Sequence, residues 1–228
     1  MDSTRRCLIL FARSPREEGS VKRIRRANRL FRFVQTRMRQ AAKLCGVDLV
    51  EVSSERPEGA VRWLPQRGST FAERVRSAFD DARALGYETI VAVPIDVPGL
   101  SANDLTAAFD RLRDHDHVLG PSPDGGVYLI GARVDASPLL DGVRWNTAFV
   151  FNDLLERTSS VATLRLLRDL DRPSDLILLR REVKDSKARA IIASLTQVAA
   201  PQAGHTQPAA FQTRAASAGR APPLHSRP

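Results

Sequence analysis

Hydrophobic and polar positions alternate along this chain in blocks that read as strand, helix, strand. Residues 7–12 (Cys-Leu-Ile-Leu-Phe-Ala) form an apolar run suited to a buried strand, followed by a polar loop through Gly19. From Val21 to Leu44 the apolar positions Val21, Ile24, Leu30, Phe31, Val34, Met38, Ala41 and Ala42 recur at three- and four-residue steps, which predicts one amphipathic helix closed by Gly46. Residues 47–52 give a second strand, so the chain opens with a β-α-β unit. A loop with a short strand at 61–64 precedes a helix over 70–85, whose Thr70-Phe71-Ala72-Glu73 start has capping-box spacing. Residues 87–95 are nearly all hydrophobic, as in a strand covered on both faces. Ser101 starts a helix ending near Arg113, strands follow at 117–120 and 127–132, and helices are predicted over 147–157 and 183–198, with Pro173 suited to a first helical turn.

The 228 residues are 43% hydrophobic, enough for one domain with a substantial core, assigned to 1–198. Residues 199–228 are rich in Ala, Pro, Gln, Ser and Gly, and are expected to form a disordered tail. Apolar stretches stay under ten residues and no signal-cleavage pattern opens the chain, so a cytoplasmic protein without a membrane span is expected. Cys7 and Cys45 form neither a disulfide framework nor a cysteine zinc motif. The net charge of +9 is concentrated early: residues 1–43 hold thirteen Arg or Lys against Asp2, Glu17 and Glu18. Such a block attracts phosphorylated ligands, anionic surfaces or nucleic acid, or simply gives a solvated helix face; nucleic acid is a partner to consider but not the favoured one.

Two acidic turns carry the candidate chemistry. Asp96, in Ile95-Asp96-Val97-Pro98-Gly99-Leu100, and Asp124, in Gly120-Pro121-Ser122-Pro123-Asp124-Gly125-Gly126, each follow an apolar run, and ligands of open α/β sheets gather at the carboxyl ends of such strands. Asp before Pro-Gly or Gly-Gly is also an ordinary turn former. As a pair at strand ends, the two carboxylates are candidates to hold Mg²⁺ or Mn²⁺ against a diphosphate, with Gly125 and Gly126 leaving the backbone open to a phosphate or sugar. His115 and His117 are candidate bases by chemistry alone, and no residue stands out as the general base.

Several motifs in order resemble an uncharacterised bacterial family. They are Phe11-Ala12-Arg13-Ser14-Pro15 with Gly19-Ser20-Val21-Lys22, Gln66-Arg67-Gly68 with Phe71-Ala72-Glu73-Arg74, Asp96-Val97-Pro98-Gly99-Leu100, Gly120-Pro121-Ser122-Pro123-Asp124-Gly125-Gly126-Val127-Tyr128-Leu129-Ile130-Gly131, Trp145-Asn146-Thr147, and Asp169-Leu170-Asp171-Arg172-Pro173. The family is glycosyltransferase-A-like and belongs to the nucleotide-diphospho-sugar transferase superfamily, alongside molybdenum-cofactor and phospholactate nucleotidyltransferases. The resemblance implies an α/β fold, a Rossmann-like three-layer α/β/α sandwich with a mostly parallel sheet. It implies that Asp96 holds a divalent metal with Asp124 in the second acidic turn, and that Arg13, Gly19 and Lys22 line the nucleotide loop, aided by the following helix's N-terminus. Trp145 and Thr147 match a segment closing the acceptor side, although Trp145 also suits the core.

The implied function is metal-dependent transfer from a nucleotide-activated donor, a nucleotide-sugar or a nucleoside triphosphate, to an unknown acceptor. Nucleotide-sugar glycosyl transfer is favoured; nucleotidyl transfer and a catalytically degenerate binding protein with a basic surface are the alternatives. This chain departs from the family pattern where Arg16-Glu17-Glu18 precedes Gly19 and Lys22-Arg23-Ile24-Arg25 replaces Lys-Thr-Arg-Leu. It also has Val97 where the family has Cys, and Arg172 where a capping hydroxyl is usual, the latter costing about 1 kcal/mol of local stability.

Overall fold

The computed structural model describes residues 5–60 and 62–199. Its elements in chain order are β1 (Arg6–Phe11), α1 (Pro15–Val21), α2 (Asn28–Leu44), β2 (Asp48–Ser53), β3 (Trp63–Pro65), α3 (Phe71–Ala84), β4 (Thr89–Val93), α4 (Ala102–Arg111), β5 (His117–Pro121), β6 (Val127–Ala132), α5 (Ser137–Leu140), α6 (Val150–Glu156), β7 (Val161–Thr163), α7 (Asp175–Glu182) and α8 (Ser186–Ala199).

The seven strands form one sheet in the order β3-β2-β1-β4-β6-β5-β7. Only β6 runs antiparallel, against both β4 and β5; the other pairings are parallel. Alternate residues of β1 feed opposite faces. Leu8 and Leu10 pack with α2, α4, α7 and α8, whereas Cys7 and Ile9 pack with α3, α5 and α6. Both faces are therefore covered, which accounts for the nearly continuous apolar character of β1 and β4. The architecture is the expected three-layer α/β/α sandwich.

Three expectations are corrected. The polar stretch before Gly19 is helical, and the long helix begins at Asn28, not Val21. Ser14 and Glu17 form a reciprocal capping box with Pro15 at the first helical position, a start signal visible in the sequence. Arg23 (φ 54°) and Arg26 (φ 63°) then turn the chain through left-handed backbone between α1 and α2. Third, the last helical stretch begins at Ser186, separate from α7. Neither α5 nor β7 is evident from periodicity, being four and three residues long. Val61 lies outside the described residues, and so does the predicted tail except Ala199, which ends α8.

The Glu51 carboxylate is buried between the sheet and α2. Glu51 in β2, 2% exposed, points at α2, where the Arg39 guanidinium donates to both its oxygens at 3.0 Å and Gln35 donates at 3.1 Å. Arg39 and Gln35 are one helical turn apart, so both reach the same carboxylate. Replacing Arg39 by Ala leaves that carboxylate without its counter-charge, and a urea melt should record a loss of about 3 kcal/mol.

Candidate active site

The strand order reverses between β1 and β4: the chain moves outward from β1 to β2 and β3, then returns to build β4 on β1's other side. A crevice opens at the carboxyl edge of such a switch point because the two following loops leave in opposite directions. The loops after β1, β4, β5 and β7 all emerge at this edge, since these strands run parallel.

Lys22, beyond α1, reaches across that crevice. Its ammonium is hydrogen-bonded to Asp96 Oδ2, donates to Asp171 Oδ1 at 2.7 Å and lies 3.4 Å from Glu18 Oε1. Its side chain is 8% exposed. Burial opposes the charge, yet the carboxylates of Asp96 and Asp171 outweigh it and hold the ammonium pKa above the ordinary lysine value. Lys22 is therefore a fixed cation joining the loops after β1, β4 and β7.

Asp171 arrives there because the segment after β7 is tied along the carboxyl edge. The N–H groups of Leu164, Leu167 and Leu170 donate to the carbonyls of Leu119 (2.9 Å), Pro121 (3.2 Å) and Asp96 (2.8 Å). Arg165 clamps it further by donating to both oxygens of Asp104, at 2.6 and 2.8 Å. Carboxylate oxygens of Asp124, Asp169 and Asp171 consequently lie within 4.8 Å of one another. Burial first, then the charges of Asp96, Asp171 and Asp124, push the Asp169 carboxyl up to about 7.

Asp124 is oriented by its own turn: it accepts from Ser122 Oγ at 2.6 Å and from the Gly126 N–H at 3.0 Å. Gly125 has φ +87°, and a methyl group there would collide with the Ala148 carbonyl oxygen. Its missing side chain thus admits the chain's own 144–151 segment, whose Phe151 N–H donates to the Gly125 carbonyl at 2.9 Å. The expectation that Gly125 keeps the backbone clear for a ligand is replaced by this packing reason.

Of the expected nucleotide-loop residues, Arg13 lies 3.5 Å from Glu18 and lines a cleft of about 420 Å³ with Arg16, Glu17 and Ser20. Gly19 lies within α1, with room beside the first turn of α2. The expected anion-binding helix start is taken internally: the Glu17 side chain accepts from the Ser14 N–H at 3.0 Å and from Ser54 Oγ at 2.8 Å. Trp145 packs against Phe71 with centroids 5.3 Å apart, and Phe71 against Phe11 at 6.0 Å, so it belongs to the core beside the end of β1. His117 begins β5 and sits at the opposite edge, bonded to Thr158 at 3.0 Å, and burial lowers its pKa. That position removes it from the candidate bases. His115 bonds to Arg111 O at that same edge.

The donor set suits a hard divalent cation. Clustered carboxylate oxygens match the ligand preference of Mg²⁺ and Mn²⁺, and the buried Oδ1 of Asp96 has no hydrogen-bond partner among the described residues. Asp169, Asp171 and Glu18 were assigned no role from sequence. Their signals were the Asp169-x-Asp171 spacing after a short apolar run and the acidic pair ahead of Gly19.

Residues 36–147 match the model of a family described as uncharacterised proteins conserved in bacteria (DUF2064). Over that stretch the chain is similar to this family. The matched stretch includes Asp96, Asp124, Gly125 and Gly126, while Arg13, Glu18, Lys22, Asp169 and Asp171 lie beyond it. No curated protein matches the chain. Among solved structures, a protein of Desulfovibrio desulfuricans G20 provisionally named a nucleotide-diphospho-sugar transferase is 22% identical, covering 86% of this chain and 98% of its own, with a TM-score of 0.72. Rv0371c of Mycobacterium tuberculosis H37Rv, solved in complex with manganese, is 17% identical, covering 80% and 100%, with a TM-score of 0.51. The 4-diphosphocytidyl-2C-methyl-D-erythritol synthase of Anaerococcus prevotii DSM 20548 is 10% identical, covering 85% and 96%, at 0.52. At these identities the likeness is one of fold, and the fold of this chain is of the glycosyltransferase-A type expected from its motifs.

Because Asp169 binds its proton more tightly in the folded protein than in the unfolded chain, its contribution to stability is complete below about pH 4 and is lost as pH rises through the raised value of about 7. Asp169→Asn removes that loss. Urea melts of the metal-free protein should show the variant's advantage over wild type growing between about pH 4 and pH 7 and levelling off above that, at on the order of 3–4 kcal/mol.

Proposed function

We propose that this protein is a metal-dependent transferase using a nucleotide-activated donor, with a nucleotide-sugar as the favoured donor and glycosyl transfer as the reaction. One observation carries the reading: at the switch point between β1 and β4, Asp96 and Asp171 meet on the buried ammonium of Lys22, and carboxylate oxygens of Asp124 and Asp169 lie within 4.8 Å of Asp171. Four carboxylates at a sheet's carboxyl edge have no structural need of one another, since like charges in a partly buried cluster are costly.

In this reading Asp124, Asp169 and Asp171, with the free oxygen of Asp96, hold Mg²⁺ or Mn²⁺. A bound divalent ion supplies electrostatic stabilisation to charge developing on the donor's diphosphate. Lys22 and Arg13 supply fixed positive charge from the opposite lip of the crevice, already oriented before the donor arrives. Arg144 and Phe149 stack at 4.2 Å in the segment packed over the Asp124 turn, which gives the acceptor side a firm wall. Nucleotidyl transfer from a nucleoside triphosphate would use the same charges. A catalytically degenerate binding protein is favoured by a separate observation: Arg23, Arg25, Arg26, Arg29 and Arg32 are exposed and form no ion pair among the described residues.

Calorimetric titration with nucleotide-sugars and nucleoside triphosphates, with and without Mn²⁺, tests the reading. Metal-dependent binding of one donor class is expected, weakened about tenfold or more by Asp124→Asn, an exposed substitution with little structural cost. Release of a nucleoside diphosphate from the bound donor indicates glycosyl transfer, and release of pyrophosphate indicates nucleotidyl transfer. Absence of binding by the folded protein across the whole panel rules the transferase reading out.

A further inference from the structure

Glu18 is the feature that the transferase reading does not absorb. It is 6% exposed, in α1 one helical turn before Lys22, where this chain departs from the family pattern. Its two carboxylate oxygens face two different cations: Oε1 lies 3.4 Å from Lys22 Nζ, and Oε2 lies 3.5 Å from an Arg13 guanidinium nitrogen. Those are the two positive groups that the transferase reading offers to a donor's phosphates. A tetrahedral phosphate with two oxygens directed at the same nitrogens would occupy the place that Glu18 now occupies.

We infer that Glu18 is an internal stand-in for a donor phosphate, and that it makes donor binding depend on an accompanying divalent cation. The inference rests on the transferase reading of the site and adds a determinant of what that site accepts. Around the crevice stand Glu18, Asp96, Asp124, Asp169 and Asp171 against Arg13 and Lys22, so the acidic groups outnumber the basic ones. A metal-free diphosphate therefore enters a region of net negative charge. A diphosphate that arrives with Mg²⁺ brings its own compensation and meets the Asp124, Asp169 and Asp171 carboxylates as ligands.

The geometry also accounts for exchange. Ion pairs of 3.4 and 3.5 Å are longer than the roughly 2.7–2.9 Å of a charge-assisted hydrogen bond, so Glu18 holds its cations loosely. Glu18 keeps Arg13 and Lys22 facing the crevice while no donor is present, and a metal-bearing diphosphate takes them over. Glu17 does not share this role, because it is committed to the Ser14 cap and to Ser54.

Inorganic pyrophosphate probes this without reference to base or sugar. Titrated calorimetrically into wild type, Glu18→Gln and Glu18→Asp, each with and without Mg²⁺, it should bind wild type at least about tenfold more tightly with the metal than without. Glu18→Gln should tighten the metal-free binding by about tenfold and narrow that gap, whereas Glu18→Asp, which keeps the charge, should preserve it. Glu18→Leu fills the same buried volume without charge and serves as a second neutral variant if the Gln variant does not fold. Metal-free binding that is unchanged or weaker in the neutral variants overturns the inference, as does an Asp variant that behaves like the neutral ones. Failure of pyrophosphate to bind any of the proteins also overturns it; the nucleotide and nucleotide-sugar panel then decides the transferase reading separately.

Discussion

The ammonium of Lys22 is the constraint on which the rest of the site depends. It is buried among carboxylates from three chain segments, Glu18 in α1, Asp96 after β4 and Asp171 after β7, and is the charge that lets them approach. Removing a lysine from water is costly, and so is gathering acids; each cost is offset only in the presence of the other. The sheet provides the meeting place, because its strand order turns back between β1 and β4 and opens the carboxyl edge there. Without the hydrogen bonds that carry residues 164–170 along that edge, Asp169 and Asp171 would have no reason to stand opposite the loop after β1.

The fold was largely legible in the chain, and for identifiable reasons. Buried parallel strands need apolar side chains on both faces, which makes β1 and β4 visible as runs, and the Thr70 and Ser101 capping boxes mark the starts of α3 and α4. Short elements escaped: β7 spans three residues and α5 four, too few for a period to register. The helix α1 escaped for another reason. Its residues are polar and glycine-containing, so apolar periodicity is silent, and the Ser14-Pro15-x-Glu17 start is its local marker.

The site was legible in part. Asp96, Asp124, Lys22 and Arg13 do gather at the carboxyl edge, and strand-end position was the feature that pointed to the acids. What sequence could not supply was the partner of each. Asp96 is joined to Lys22 across 74 residues and Lys22 to Asp171 across 149, distances at which no local pattern survives. Gly125 illustrates the opposite case, in which the turn is legible but the reason for its glycine is not. Its freedom from a side chain serves the close approach of Ala148, and the turn so fixed then aims Asp124. The sequence also hid Glu18, since an acid beside expected phosphate ligands reads as a defect until its two ion pairs are seen.

The central claim is that the carboxyl-edge acids form one divalent-cation site beneath Lys22. Paramagnetic broadening of backbone amide resonances during a Mn²⁺ titration tests it most directly, since broadening falls steeply with distance from the ion and requires no knowledge of donor or acceptor. The amides of Asp96, Asp124 to Gly126 and Asp169 to Asp171 should disappear first and together. Broadening that begins instead at exposed acids away from the crevice, such as Asp110 or Glu182, would contradict the account.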